Sequence, residues 1–101
     1  MVEGARVPHQ FTLGQNYPNP FNPSTTIRFG VPMASIVRLE VLTVLGQSVA
    51  VLQEGPLQPG FHSVQWHPTV STGLYFYRLE ARPLDGAGET FVSVKRMVLL
   101  K

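Results

Sequence analysis

The sequence predicts an all-β fold, an immunoglobulin-like sandwich of about seven antiparallel strands in two sheets. Short segments in which apolar and polar residues alternate recur at nearly regular spacing along the chain. Nine glycines and nine prolines supply turn chemistry between these segments. No stretch keeps a helical period over ten residues, so essentially no helix is expected. An open single sheet is the weaker alternative, since both faces of the segment LYFYRL are apolar.

Composition indicates one domain and excludes several classes of function. The 101 residues are 44% hydrophobic and 14% charged, which is typical of a folded domain rather than a disordered tail. The chain has no cysteine, and its net charge of +2 is spread over scattered basic residues, which gives nucleic-acid binding little support. No apolar run reaches the length of a membrane span. Residues 1–10 lack the apolar core of a secretory signal.

Two regions follow from this reading. Residues 1–10 are expected to be a linker, and residues 11–101 form the predicted domain. If the protein is exported, we expect its N-terminal signal to lie elsewhere on a longer chain.

The domain opens with a stiff lead-in at residues 13–23, followed by the first strand. Pro18, Pro20 and Pro23 fix φ at three places and remove three backbone donors. Each also pushes the residue before it towards extended geometry. The lead-in therefore cannot be a helix or a central strand.

The residues between these prolines indicate more than a linker. Asn19 and Asn22 can form Asx-type turns that replace part of the missing backbone ladder. Tyr17 and Phe21 are expected to be buried and to anchor the lead-in on the core. The alternative is a plain proline-rich linker, which rarely carries two aromatic residues and leads straight into a patterned strand.

The remaining elements follow from alternation and turn residues. Gly46 is expected to adopt a positive φ in the turn after the second strand. Residues 53–60 are dense in turn residues and predict a connection rather than a strand. The last strand could be broken near Lys95. The expected strands are residues 24–32, 36–43, 48–52, 61–66, 73–81 and 89–100, and the expected core residues are Phe29, Leu39, Val41, Val64, Trp66 and Tyr77.

No combination of residues predicts catalysis, a cofactor or a metal site. His62 and His67 have no cysteine or acid nearby to complete a metal site, so His62 is expected to be structural at the core edge. Tyr75, Phe76 and Tyr77 could form a sugar-binding platform, but core packing is favoured. The six carboxylates form no convincing acid–base pair. They are Glu3, Glu40, Glu54, Glu80, Asp85 and Glu89, and the third histidine is His9.

The lead-in QNYPNPFNPSTTIRF, residues 15–29, closely resembles the opening of type A C-terminal sorting domains of the type IX secretion system. The segments VRLEVLTVLGQSVAVL, PGFHSVQW, STGLYFYRL and KRMVLLK are also similar to that family, so the resemblance covers residues 11–101. Two departures from the family pattern, Leu42-Thr43 and His67-Pro68, touch loop chemistry and do not threaten the sandwich. The motif residues are Asn16, Tyr17, Pro18, Asn19, Pro20, Phe21, Asn22, Pro23, Gly46, Gly60, Trp66, Gly73, Tyr75 and Tyr77.

The resemblance implies an export address on a larger cargo protein. Such a domain is read by the type IX machinery in the outer membrane, which delivers the cargo to the cell surface or medium. A sortase-like peptidase often cleaves the domain afterwards and can attach the cargo to a surface lipopolysaccharide. A weaker resemblance, to the immunoglobulin-like domain of flagellar hook-capping proteins, leaves a structural assembly role open. An adhesive or carbohydrate-binding module is the other alternative.

The last strand is the predicted recognition element. Met97 and Leu99 fall on one face, and Val98 and Leu100 fall on the other. At a sheet edge such a strand would offer unpaired backbone groups to a partner strand, although it could simply complete the sandwich. Flanking basic residues would steer it towards an acidic groove. The recognition candidates are Lys95, Arg96, Met97, Val98, Leu99, Leu100 and Lys101.

Overall fold

The computed structural model describes residues 7–86 and 88–101, and every regular element in these ranges is a β-strand. No helix in the described part of the chain is long and apolar enough to cross a membrane. The strands are β1 (Thr12–Leu13), β2 (Thr25–Val31), β3 (Ser35–Leu42), β4 (Ser48–Leu57), β5 (Gly60–Trp66), β6 (Gly73–Pro83) and β7 (Phe91–Leu99).

These strands form the two-layer immunoglobulin-like sandwich that the sequence predicts. One sheet has three strands in the order β1-β2-β5, and the other has four in the order β4-β3-β6-β7. All neighbouring strands are antiparallel. The single open sheet, the weaker alternative, is therefore wrong.

The core lies between the sheets because alternate residues of each strand point inward. In β2, Ile27 and Phe29 are buried while Arg28 is exposed, and in β6, Tyr77 and Leu79 are buried between more exposed neighbours. Burial of each such large apolar side chain contributes roughly 1.5–3 kcal/mol. Of the predicted core residues, Phe29, Leu39, Val41, Trp66 and Tyr77 are buried, and Val64 packs against them while partly exposed.

Two strand predictions are wrong. The expected connection at residues 53–60 is mostly strand, because β4 continues to Leu57 through Gly55 and Pro56. β4 lies at the edge of its sheet, where a proline removes no necessary ladder bond. The register of β4 against β3 also shifts after Leu39 and after Val41. β7 runs without a break through Lys95, since it pairs with β6 over its whole length.

The two-residue strand β1, at the edge of the three-stranded sheet beside β2, was not predicted. Gly30 of β2 pairs with Thr12 of β1, and a Cβ at Gly30 would meet Thr12 Oγ1 at 2.7 Å and Pro8 Cβ at 3.2 Å. Pro8 is buried, so the end of the predicted linker packs on the sandwich. The rest of that linker, residues 1–6, lies outside the described residues, as does Ala87 in the β6–β7 turn.

The β3–β4 turn has the predicted chemistry. Gly46 adopts φ 84°, a left-handed value that favours glycine. The Thr43 hydroxyl accepts hydrogen bonds from the backbone N–H of Leu45 and of Gln47, both at 3.2 Å. Thr43 stands where the sorting-domain pattern usually has Asn or Asp, and its hydroxyl supplies a comparable side-chain acceptor. This departure from the pattern therefore leaves the turn intact.

Candidate functional site

The lead-in crosses the end of the sandwich and pairs with the end of β7. Phe21 N–H donates to the Val98 carbonyl at 3.0 Å, and Leu100 N–H donates to the Phe21 carbonyl at 3.0 Å. This places Phe21 beside Leu99 in a parallel bridge. The two segments that lie at opposite ends of the domain sequence are thus joined by backbone hydrogen bonds.

Side chains of the lead-in extend this pairing. Asn19 Oδ1 accepts from Val98 N–H at 2.9 Å, and Gln15 Nε2 donates to the Arg96 carbonyl at 2.8 Å. Asn19 therefore does supply a substitute for ladder bonds, although it bonds β7 rather than its own backbone. We call the contact of Gln15, Asn19 and Phe21 with residues 96–100 the terminal clamp.

The clamp overturns one prediction about the last strand. The backbone edge at Arg96, Val98 and Leu100 was expected to be open to a partner strand, but the lead-in occupies it. The side-chain faces are as predicted. Met97 and Leu99 are fully buried, whereas Val98 is half-buried and Leu100 is 48% exposed.

The basic residues of the last strand differ in exposure. Arg96 and Lys101 are exposed, and Lys95 is partly exposed. What this end of the molecule presents to a partner is therefore a set of side chains on the outer face of the four-stranded sheet, and not a free strand edge.

Phe21 fixes the clamp to the core. Its side chain is 1% exposed, as predicted, and its ring lies 5.9 Å from that of Trp66. Trp66 in turn meets the Tyr75 ring edge-on at 6.3 Å. Trp66 is buried as expected, but it lies at the end of the core that the lead-in covers, where Thr25 pairs with it at the start of β2. These three aromatic rings link the lead-in to both sheets.

Asn16 ties the start of the lead-in to the middle of the core. Its backbone N–H donates to Tyr77 Oη at 2.8 Å, and the Tyr77 hydroxyl donates to the Gly14 carbonyl at 2.7 Å. The Asn16 amide donates to Thr25 Oγ1 at 3.0 Å and to the Pro18 carbonyl at 3.2 Å. Among the described residues, no buried polar side-chain atom lacks a partner.

The environment of Tyr77 stabilises its neutral form. Burial raises the pKa of the Tyr77 phenol from its ordinary value of 10.0 to about 12, and the hydrogen bond from Asn16 N–H opposes this rise. The phenol therefore stays protonated at physiological pH, where it donates one hydrogen bond and accepts another.

The prediction that Tyr17 is buried is wrong, since its side chain is 81% exposed. Tyr17 forms an isolated antiparallel bridge with Thr26, with both N–H···O distances at 2.9 Å. Thr26 lies between the buried Thr25 and Ile27, so it faces away from the core and Tyr17 shares its outward side. Asn16 and Phe21 are the anchors instead.

The structure confirms the favoured core packing of Tyr75 and Tyr77 over the alternative of a sugar-binding platform. Tyr75 and Tyr77 are buried between the sheets, and only Phe76 points to the outer face, where it is half-buried. These three residues therefore do not form one exposed aromatic surface.

The histidines and acids are not brought together. His62 stacks on Phe29 with ring centroids 5.5 Å apart, and its Nε2 lies 2.9 Å from the Gln58 carbonyl, in keeping with a structural role at the core edge. His9 and His67 are exposed. Within residues 7–86 and 88–101 no group of three or more His, Cys, Asp or Glu could hold a metal ion.

Comparison with known proteins supports the fold and goes no further. No protein-family model matches the sequence. No curated protein sequence matches it either. Among solved structures, the chain is similar to CopC from Methylosinus trichosporium OB3b, with a TM-score of 0.56 and 14% sequence identity over 89% of this chain and 93% of that one. A likeness at this identity shows a shared sandwich architecture, and function has to be argued from the surface of this chain.

Proposed function

We propose that this chain is a C-terminal sorting domain that directs an attached cargo protein through the type IX secretion system to the cell surface or medium. The observation that carries the proposal is the terminal clamp. The segment at residues 15–29 bears the most specific resemblance to the sorting-domain family, and it directly contacts residues 96–100 in the segment that resembles the family's terminal strand. A stiff proline-rich segment that packs on the chain end holds that end in one defined conformation.

The clamp limits how the transport machinery could read this end. A partner strand could pair with residues 96–100 only after displacing the lead-in, because the backbone groups there are bonded to Phe21 and Asn19. Recognition of the intact domain therefore uses the outer side chains. Val98 and Leu100 give a small apolar surface, and the nearby cations Arg96 and Lys101 favour an acidic receptor site.

The proposal implies two partners for the domain. By resemblance, the outer-membrane translocation machinery reads the domain and a sortase-like peptidase removes it from the cargo. The domain itself is proposed to be non-catalytic and to need no cofactor.

Transplantation tests the proposal. Residues 10–101 are fused behind a periplasmic reporter in a host with an intact type IX system. The reporter should reach the surface or medium, and deletion of the translocon should retain it in the periplasm.

A fold control makes this test specific. The same reporter fused to CopC, which shares the sandwich at 14% identity, should stay in the periplasm. Retention of the folded fusion in the intact host would contradict the proposal and favour the adhesive-module or hook-cap alternative. Equal delivery of the CopC fusion would show that the clamp is not the address.

A further inference from the structure

The outer face of the three-stranded sheet is a second surface with its own chemistry, distinct from the terminal clamp. It carries a depression of about 380 Å³ lined by Tyr17, Thr26 and Arg28 together with Gln15. A second depression of about 320 Å³ is lined by Arg28, Phe61, His62 and Ser63. Arg28 borders both depressions, and we call the two together the trough.

An exposed aromatic ring stands at each end of this trough. Tyr17 is 81% exposed and Phe61 is 65% exposed. Neither backbone is free to move, because Tyr17 is bonded twice to Thr26 and Phe61 lies in the β2–β5 ladder opposite Gly30. At about 3.4 Å per residue, the four steps from Thr26 to Gly30 separate the two ends by about 14 Å along the strand. The backbone positions that carry the two rings are therefore held apart at a defined spacing.

The charge of the trough favours an anionic ligand. Arg28 lies between the two depressions and is exposed. On the other sheet, by contrast, Arg38 and Arg78 form ion pairs with Glu40 and Glu54. No Asp or Glu among the described residues lies on β1, β2 or β5. An arginine without a competing carboxylate is suited to bind a carboxylate of a ligand through two parallel hydrogen bonds.

The surface between the aromatic rings favours a carbohydrate over a protein. Protein interfaces have a continuous apolar centre with a polar rim. Here the apolar groups are at the ends, and the hydroxyl side chains of Thr26 and Ser63 lie with Arg28 between them. Sugar rings can pack on flat aromatic faces while their hydroxyl groups bond to polar side chains.

We propose that this trough binds an acidic polysaccharide. Tyr17 and Phe61 each pack against a sugar ring, and Arg28 binds a uronate carboxylate between them. The trough shares only Gln15 with the terminal clamp, so Tyr17, Arg28 and Phe61 can be substituted without changing a clamp residue.

Titration of the full chain with polygalacturonate tests this inference. The wild-type chain should bind, and Arg28→Gln should weaken binding by at least about tenfold, the effect of losing one charge-assisted pair. Arg82→Gln removes the same charge from an exposed position on β6 of the other sheet and should leave the affinity within about twofold. Tyr17→Ala and Phe61→Ala should each weaken binding several-fold, and all four side chains are exposed enough for the variants to fold.

Three results would overturn the inference. The first is no binding of polygalacturonate by the wild-type chain. The second is an equal loss on Arg82→Gln, which would mean general attraction to a basic protein. The third is equally tight, Arg28-dependent binding of polyglutamate, which would identify an acidic protein as the ligand class.

Discussion

Asn16 and Tyr77 show how single polar residues hold the lead-in on an apolar core. The Tyr77 hydroxyl accepts from Asn16 N–H and donates to the Gly14 carbonyl, so two backbone groups that cannot join a ladder are satisfied inside the sandwich. Leaving such groups buried without partners costs about 1–3 kcal/mol. The side-chain amide of Asn16 donates a further hydrogen bond to the Thr25 hydroxyl. The lead-in is therefore fixed by specific polar contacts as well as by its prolines.

Tyr77→Phe should lower stability near neutral pH by about 1–3 kcal/mol, because both backbone partners of the hydroxyl lose their bonds. It should also change the alkaline pH dependence. The pKa of Tyr77 is raised from 10.0 to about 12 in the folded chain, so the folded state holds the proton more tightly. That stabilisation is complete below about pH 10 and is lost as the pH rises through about 12. Urea unfolding over this range should show a steeper decline for the wild type than for Tyr77→Phe; parallel declines would contradict the assignment.

Trp66→Ala should cost about 3–5 kcal/mol in the free energy of unfolding, which is enough to unfold a domain of ordinary stability. Trp66 is 7% exposed and contacts the rings of Phe21 and Tyr75. Phe61→Ala is the matched control, because this aromatic residue on the same strand is 65% exposed and its removal should change stability little. Urea denaturation compares the two, and similar losses would show that Trp66 does not hold the core together.

At the scale of elements, the central feature is that β7 is completed by the lead-in. Phe21 and Asn19 bond the outer edge of β7 near its end, where an unpaired edge would invite association with other chains. All three peptide bonds preceding the lead-in prolines, at Tyr17, Asn19 and Asn22, are cis. Because Phe21 and Asn19 bond the edge of β7, the lead-in works as a short edge cover rather than as a tether.

Asn19→Ala should weaken this cover without unfolding the sandwich. Asn19 Oδ1 accepts the Val98 N–H, so its loss should cost about 1 kcal/mol and speed hydrogen exchange at Val98. Asn22 also precedes a proline and is exposed, and among the described residues its side chain makes no hydrogen bond. Asn22→Ala should therefore leave exchange at Val98 unchanged. Equal exchange in the two variants would contradict the role given to Asn19.

The sequence predicts the strands of this fold better than the contacts that complete it. Alternation in β2, β3 and β6 reflects burial of one face per strand, and Phe21 is buried as its setting suggests. Tyr17 faces outward because it pairs with Thr26, and no residue pattern around Tyr17 in the sequence predicts that pairing. The terminal clamp joins residues 79 positions apart, such as Asn19 and Val98. Turn residues at the end of β4 are misleading because edge pairing with β3 overrides local propensity.

At the scale of the whole molecule, the terminal clamp and the trough around Arg28 lie at different places on one sandwich. The chain shares the sandwich with CopC. The terminal clamp lies at the end of β7 in the four-stranded sheet, and Arg28 lies on β2 in the three-stranded sheet. At 14% identity the likeness to CopC shows the fold alone, so we place the proposed address in the surface features of this chain. The outer side chains at the end of β7 are the part of the clamp that a receptor can reach.

The central claim is that the outer face of the clamped chain end is the export address. The direct measurement is delivery of the reporter fusion carrying Val98→Thr with Leu100→Thr, since both side chains lie on that face and Leu100 is 48% exposed. Val92→Thr with Val94→Thr is the matched control, because these residues are 53% and 51% exposed on the same face of the same strand but lie outside the clamp. Thermal unfolding should show both variants folded with nearly unchanged stability. We predict that the first variant stays in the periplasm and the second is exported; normal export of the first variant, or equal loss in both, would contradict the account.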